Sequence, residues 1–366
     1  MIIKSFRALN FRNIESCSLD FDSKVNILLG ENAQGKTNAV EGIYFFARGK
    51  SFRRGDEKDL IKFGKEGFNI SIEYEDKNGK NVLEYALYGK ERRRKKNGYK
   101  INRVSEMIGN FKAVLFCPDD LTLVKDGPDG RREFLNVAIS QCYPEYISIY
   151  ADYKKTLENR NALLKNASKG LFFDEREFFA WSEYIAEHAS KIYHFRYEYI
   201  KKLEVYATRF MEEISEGKEK LSISYKSHID GESKNPEEIK EQYKRLFTEN
   251  LEKERGAGVS LYGPHREDIL LEINGKEARI FASQGQQRSI VLSLKMAEGE
   301  VSKELFLEYP VFLFDDVLSE LDEKRQNFVL SGMKDRQIII TSCERLHTAG
   351  TVIEVEGGKF NVSSHR

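Results

Sequence analysis

The sequence predicts an α/β fold with a mixed sheet, interrupted by a helical insertion lobe. Three observations predict it. The apolar run Val25-Asn26-Ile27-Leu28-Leu29 leads into Gly30-Glu31-Asn32-Ala33-Gln34-Gly35-Lys36-Thr37 and then into a segment of helical spacing. A second apolar run, Val311-Phe312-Leu313-Phe314, ends in Asp315-Asp316. Between them, from about Arg131 to Ile214, apolar residues recur at three- and four-residue steps.

Strand, glycine loop and helix in that order form the context of a phosphate-binding P-loop. Glycines let the backbone approach phosphate oxygens, and the helix N-terminus adds positive potential. All eight residues from Gly30 to Thr37 are therefore candidate nucleotide contacts. Lys36 is placed to reach the outer phosphates and the Thr37 hydroxyl to ligate Mg²⁺, so ATP and Mg²⁺ are the expected ligands.

A chain of 366 residues has room for two or three domains and a substantial core. Its 59 basic residues balance 59 acidic ones, so nucleic-acid binding would need a local basic patch rather than a polycationic chain. No apolar run is long enough to span a bilayer and residues 1–7 lack a signal-peptide pattern, which predicts a cytoplasmic protein with no membrane partner. Cys17, Cys117, Cys142 and Cys343 have no metal-type spacing and read as buried thiols in a reducing cytosol.

Residues 2–9 and 18–21 read as strands leading into the P-loop strand. Residues 68–74 and 81–88 alternate like paired strands around the turn Asp76-Lys77-Asn78-Gly79-Lys80. Another strand is expected to begin at Ile101, and residues 112–116 form a buried one. The helical stretch starts with Tyr146, Ile149, Tyr153, Leu157 and Leu164, and is broken at residues 167–170. Trp181, Ile185, His188, Ile192, Phe195, Tyr199, Leu203, Tyr206, Phe210 and Ile214 then stripe one face of a helix of about 40 residues, about 60 Å long. The pair forms a helical hairpin on, or protruding from, the P-loop domain. Residues 221–225 return to strand character, 236–253 form a charged helix, and 259–266 and 268–276 re-enter a sheet. A helix follows from Gln287 to about Phe306, stopped by Pro310; strands at 311–314 and 337–341 and a hairpin over 352–360 close the chain. The expected units are 1–130, the N-terminal half of a nucleotide-binding head; 131–256, a mainly helical lobe; and 257–366, the C-terminal half of the head.

Four apolar residues ending in carboxylates have the form of a Walker B strand. Asp315 would hold Mg²⁺ and Asp316 would orient or deprotonate the attacking water. Ser283-Gln284-Gly285-Gln286-Gln287-Arg288 resembles the signature motif of ABC-type ATPases, and Leu318-Ser319-Glu320-Leu321-Asp322 resembles their D-loop. Lys36, Asp315, Asp316, Ser283, Gly285 and Gln286 are the candidate catalytic residues, with Thr37 and Asp315 for the metal. In ABC-type heads the signature motif caps a γ-phosphate bound by a second copy, so the resemblance implies an ATP-dependent homodimer.

The match then narrows. Phe11-Arg12-Asn13, Gly30 to Asn38, Gly49-Lys50-Ser51-Phe52-Arg53, Pro118 to Lys125, Gly127 to Leu135, Tyr262-Gly263-Pro264-His265-Arg266, Ser283 to Arg288 and Asp315 to Asp322 occur in order along the chain. Together they resemble the RecF family of bacterial recombination mediators, which is similar to SMC heads but carries a short helical lobe. The resemblance implies an ABC-type P-loop ATPase head, a weak, DNA-stimulated ATPase, and an ATP-induced dimer clamping duplex DNA near gaps or junctions. It also implies partnership with RecR and RecO to load RecA. Two positions depart from the wider ABC pattern. Asp316 stands where Glu is usual, which favours slow hydrolysis, and Thr341-Ser342-Cys343-Glu344 replaces a switch histidine, leaving Thr341 or Ser342 to sense the γ-phosphate. Pro118-Asp119-Asp120 stands where a Q-loop would be.

Two basic patches are candidates for DNA. One is Lys90 to Lys96, including Arg92, Arg93, Arg94, Lys95 and Lys96, with Lys100 and Arg103 beyond; the other is Arg48, Lys50, Arg53 and Arg54. The basic hairpins and the missing switch histidine argue against a transporter subunit. An SMC-like structural head, or a nucleotide-gated scaffold without significant turnover, is the alternative reading.

Overall fold

The computed structural model describes residues 1–229, 235–332, 335–346 and 349–362. Its strands are β1 (Ile2–Phe11), β2 (Ile14–Asp20), β3 (Val25–Leu29), β4 (Gly67–Asp76), β5 (Gly79–Tyr88), β6 (Glu91–Lys96), β7 (Tyr99–Lys100), β8 (Ala113–Phe116), β9 (Leu221–Lys226), β10 (Asp268–Ile273), β11 (Lys276–Glu277), β12 (Val311–Asp315), β13 (Ile338–Ser342), β14 (Thr351–Glu356) and β15 (Lys359–Val362). Its helices are α1 (Lys36–Arg48), α2 (Thr122–Lys125), α3 (Pro128–Cys142), α4 (Glu145–Ser168), α5 (Glu175–Ser215), α6 (Pro236–Glu249), α7 (Leu251–Ala257), α8 (Ala278–Phe281), α9 (Gln284–Phe306) and α10 (Glu323–Gly332).

Three sheets form, ordered β2-β1-β4-β5-β6-β7, β15-β14-β3-β13-β12-β8 and β11-β10-β9. The first and third are antiparallel. In the second, β14, β3, β13, β12 and β8 run parallel and β15 closes the edge antiparallel. The apolar strand residues explain the layering, because successive side chains leave opposite faces. Val311 and Leu313 of β12, with Leu115 and Ile339, pack toward α1 and the antiparallel sheet. Phe312 and Phe314, with Phe116 and Ile340, pack toward α3, α5 and α9. Burial on both faces is what a continuous apolar run without alternation encodes. Gln337 ties the two larger sheets: its Oε1 accepts from Ile3 N at 2.6 Å and its Nε2 donates to Ile3 O at 2.8 Å.

The expected α/β head with a helical region is present. α5 is 41 residues long, and its C-terminal part lies against α9, where Lys202 and Tyr206 bond Glu304. Helix α5 also buries Arg196, which the apolar stripe does not reveal: Nη1 donates to Pro264 O at 2.7 Å and Nη2 to Asn136 Oδ1 at 3.0 Å. β9 and β10 pair, so segments 131–256 and 257–366 share a sheet. Among the described residues no helix is long and apolar enough to cross a membrane.

Several local expectations are corrected. Residues 92–96, a basic patch to which no periodicity assigned a strand, belong to strand β6, paired along its length with β5. Ile101 extends no strand; it is buried at the hairpin end, with its N–H on Arg94 O at 2.9 Å. The 236–253 helix is two helices meeting at Asn250. Helix α9 starts at Gln284, ahead of the apolar residues that suggested Gln287. Residues 259–266 are not strand either. Their backbone groups are taken by lobe side chains: Ser260 N by Asn161 Oδ1 at 2.7 Å, Leu261 N by Glu254 Oε1 at 2.8 Å, and Pro264 O by Arg196. Backbone polar groups satisfied in this way have no need of a ladder partner.

Candidate nucleotide site and basic cavity

Strand β3 delivers the P-loop and α1 receives it. Gly30 has no room for a side chain, since a Cβ there would sit 2.2 Å from Val355 O, and Gly35 takes φ 115° to start the helix. The loop is held from both sides. Asn13 Nδ2 donates to Ala33 O at 3.1 Å, and Asn38 Nδ2 donates to Asn13 Oδ1 at 2.7 Å. Across the loop, Gly357 N–H bonds Gln34 Oε1 at 2.6 Å and Gly358 N–H bonds Gln34 O at 2.8 Å. Lys36 is 3% exposed, and its Nζ donates to Gly30 O at 2.7 Å and Glu31 O at 2.9 Å. An open cavity of about 320 Å³ lies over the loop, with Asn32, Lys36, Thr37, Asn38, Arg53 and Asp316 among its walls.

At the end of β12, Asp315 is buried and hydrogen-bonded by the Thr37 and Thr341 hydroxyls. Burial, reinforced by Asp316, pushes its carboxyl up to about 6, against the opposing pull of Thr37, Thr341 and Arg53. A nearby cation would return it to the anionic form. The pair of hard oxygen donors, Asp315 and Thr37, fits Mg²⁺, which binds through one or two protein oxygens plus phosphates and water. No group of three or more His, Cys, Asp or Glu suited to a metal occurs among the described residues. Asp316 sits at φ 53°, with its N–H on Thr341 Oγ1 at 2.8 Å, and Thr341 Oγ1 lies 3.1 Å from Asp315 Oδ1 and 3.2 Å from Asp316 Oδ1.

Thr341 thus serves the two aspartates, and Ser342 Oγ donates to Glu344 O at 2.6 Å. From this segment it is Cys343 that faces the P-loop, with Sγ 3.5 Å from Lys36 Nζ and 3.0 Å from Asn32 Oδ1. Cys343 is exposed and Cys17 and Cys117 are half-buried, so only Cys142 is the fully buried thiol expected of all four. β13 ends at Ser342, so Cys343 lies just beyond the buried strand and is exposed. Asp120 pairs with Lys295 at 2.9 Å and accepts Cys117 N–H at 2.8 Å; neither it nor Asp119 is among the walls of the nucleotide cavity.

Ser283 caps α9. Its Oγ accepts Gln286 N–H at 3.3 Å, and Gln286 Oε1 accepts Ser283 N–H at 2.8 Å, a reciprocal capping box. Gln286 Nε2 also donates to Glu219 Oε1 at 2.8 Å. Ser283 is exposed and Gly285 and Gln286 are half-buried, and none of the three lines the cavity over this chain's own P-loop.

The two basic patches meet in space. Arg48, Lys50, Arg53, Arg54, Arg92 and Arg94 line one cavity of about 480 Å³. β6 sorts its own residues by alternation. Arg92 bonds Glu57 and Arg94 lies over the Tyr85 ring with its Nε unpartnered, whereas Arg93 and Lys95 leave the other face and Lys96 Nζ bonds Asn110 Oδ1 at 2.6 Å. Arg53 borders both cavities, and its Nη1 donates to Asn38 Oδ1 at 2.9 Å. Beneath it, Glu41 on α1 is fully buried and gathers Arg12, Ser51 and Arg53. The Phe11-Arg12-Asn13 and Gly49 to Arg53 motifs therefore converge on one carboxylate. Nothing in the spacing of Glu41 marked it out, and Gly357 and Gly358 carried only the sign of a tight turn.

The family model for the RecF/RecN/SMC N terminal domain matches residues 2–357. A DNA replication and repair protein RecF from Exiguobacterium sp. is 41% identical over 345 residues, 93% of this chain and 92% of the relative. A solved structure of the recombination mediator protein RecF-ATPrS in the RecFOR pathway superposes with TM-score 0.93 at 33% identity, over 98% of this chain and 97% of the other. One of RecF-ATP gives TM-score 0.92 at 33% identity, over 99% and 98%. On this coverage and identity, the chain belongs to the RecF family of DNA replication and repair proteins.

Proposed function

We propose that the chain is an ATP-dependent DNA-binding protein of recombinational repair and replication-fork maintenance, and a weak, DNA-stimulated ATPase. The carrying observation is a nucleotide cavity walled by Lys36, Thr37 and Asp316, next to Asp315, with Ser283, Gly285 and Gln286 outside it. A γ-phosphate over Lys36 is then closed by Ser283 and Gly285 of a second copy, making ATP the trigger of a homodimer. Lys36 exchanges the carbonyls of Gly30 and Glu31 for phosphate oxygens. Thr37 and Asp315 hold Mg²⁺, which neutralises phosphate charge when bound. Asp316 Oδ1 takes the proton of the attacking water, and its short side chain and its contact with Thr341 keep hydrolysis slow.

Duplex DNA near gaps or junctions lies against the cavity lined by Arg48, Lys50, Arg53, Arg54, Arg92 and Arg94, whose charges attract phosphates without reading sequence. RecR, with RecO, is the proposed partner in loading RecA, on the strength of family membership and of relatives described within the RecFOR pathway. A nucleotide-gated scaffold without significant turnover is the second reading, favoured by the engagement of both Asp316 N–H and Oδ1 with Thr341. Light scattering with ATP, with ADP and with neither tests the dimer, and a monomer under all three conditions overturns it. Phosphate release with and without duplex DNA, with Lys36→Arg as the inactive control, separates slow turnover from none.

A further inference from the structure

We propose that Arg325, on α10, is the positioning residue that locks the signature turn to the loop carrying Asp322, so that one copy presents both as a rigid unit to nucleotide held by another. This rests on the two-copy reading above. The Arg325 backbone N–H donates to Asp322 Oδ1 at 2.9 Å, and Nη1 bonds Asp322 Oδ2. The other edge of the same guanidinium faces α9: Nε donates to Ser289 Oγ at 3.0 Å, and Nη2 donates to Ser289 Oγ at 2.9 Å and to Gly285 O at 3.0 Å. One planar group thus joins three acceptors on two segments. A lysine, with a single flexible ammonium, does not reproduce that fork.

The contact to Gly285 O has a specific consequence. The peptide between Gly285 and Gln286 is held at its carbonyl by Arg325 and at its N–H by Ser283 Oγ. With that peptide plane pinned from both ends, the first N–H groups of a 23-residue helix keep a fixed aim, and helix geometry supplies them no intrahelical acceptor. The neighbouring Gln326 holds the backbone of the other segment, with Nε2 donating to Leu318 O at 2.8 Å and to Leu321 O at 3.0 Å. The first turn of α10 therefore grips both loops, while none of these groups lines the chain's own nucleotide cavity.

The test uses full-length R325A, R325K and wild type. Nucleotide binding by each chain, read with a fluorescent ATP analogue, stays within about twofold, which also certifies folding. ATP-induced dimerisation and phosphate release fall at least about tenfold in both variants, as for loss of one preorganised charge-assisted contact set. Mixing R325A with K36A then restores phosphate release to roughly a quarter of wild type. Half of randomly mixed dimers carry one site built from an intact P-loop and an intact signature turn. A defect that spreads from Arg325 to the P-loop of its own chain is not rescued by K36A. Should R325A fail to fold, Ser289→Ala removes one acceptor and lowers release severalfold with nucleotide binding unchanged. R325A dimerising and turning over like wild type, or no rescue on mixing, overturns the assignment. Wild type staying monomeric with ATP overturns the two-copy reading and the proposal with it.

Discussion

Arg12 closes on Glu41 with two parallel hydrogen bonds, Nε to Oε2 at 3.0 Å and Nη2 to Oε1 at 2.7 Å, and the carboxylate is fully buried behind the P-loop. Removing one partner of a buried pair leaves the other charge uncompensated, which costs about 3–5 kcal/mol. Glu41→Ala is therefore expected to lower stability by about 3 kcal/mol in urea melts, and Glu41→Gln by less. Because Arg53 and Ser51 lose the same anchor, both variants are also expected to weaken duplex DNA binding more than nucleotide binding.

The alternation on β6 divides the basic patch. Arg92→Ala and Arg94→Ala are expected to weaken duplex binding and each to flatten the dependence of log affinity on log salt by about 0.9. Arg93→Ala and Lys95→Ala, on the opposite face, are expected to leave that slope within error. Filter binding at several salt concentrations checks both, and equal effects from all four would dissolve the cavity as a unit.

Two buried groups give stability opposite pH slopes. His265 sits between Tyr153 OH at 2.5 Å and Ser260 O at 3.1 Å, and burial pushes its imidazole down from 6.5 to about 4. The unfolded chain binds a proton first, so stability present above pH 6.5 is lost as pH falls toward 4, by at most on the order of 3 kcal/mol. Glu298 runs the other way: burial lifts it from 4.5 to about 7, with Lys295 opposing and Asp120 reinforcing. Its stabilisation is present below pH 4.5 and lost as pH rises through 7. Thermal melts across this range are expected to show a shallower acid slope in His265→Gln, the buried and lowered carboxyl of Glu267 keeping part of it, and a smaller loss toward neutral in Glu298→Gln, the raised carboxyl of Asp315 keeping the rest.

Cys343 is exposed and touches Lys36 and Asn32. Alkylation with iodoacetamide is expected to reduce nucleotide binding several-fold, and bound ATP to slow the alkylation. The Cys343→Ser protein is expected to bind nucleotide and to resist the reagent, as mass spectrometry and a binding assay would read.

How much was legible in advance follows from the range of the forces involved. The glycine loop and the two aspartates at the end of β12 are encoded by neighbours in the chain, whereas the start of α9 lies three residues ahead of the apolar residues that suggested it. Periods of two and 3.6 residues, glycine conformations and turn residues act within a few positions. By these signals alone the sequence determined the α/β head, the order of its motifs and the long helix α5.

The tertiary structure decided which distant side chains meet. Arg12 reaches Glu41 across 29 positions and Arg325 reaches Gly285 across 40. Segments 48–54 and 92–94 form one cavity, and residues 259–266 stay irregular because side chains of the lobe claim their backbone groups. No periodicity encodes such contacts. They follow from packing, which sets where a long polar side chain finds its partner once the apolar faces have fixed the layers.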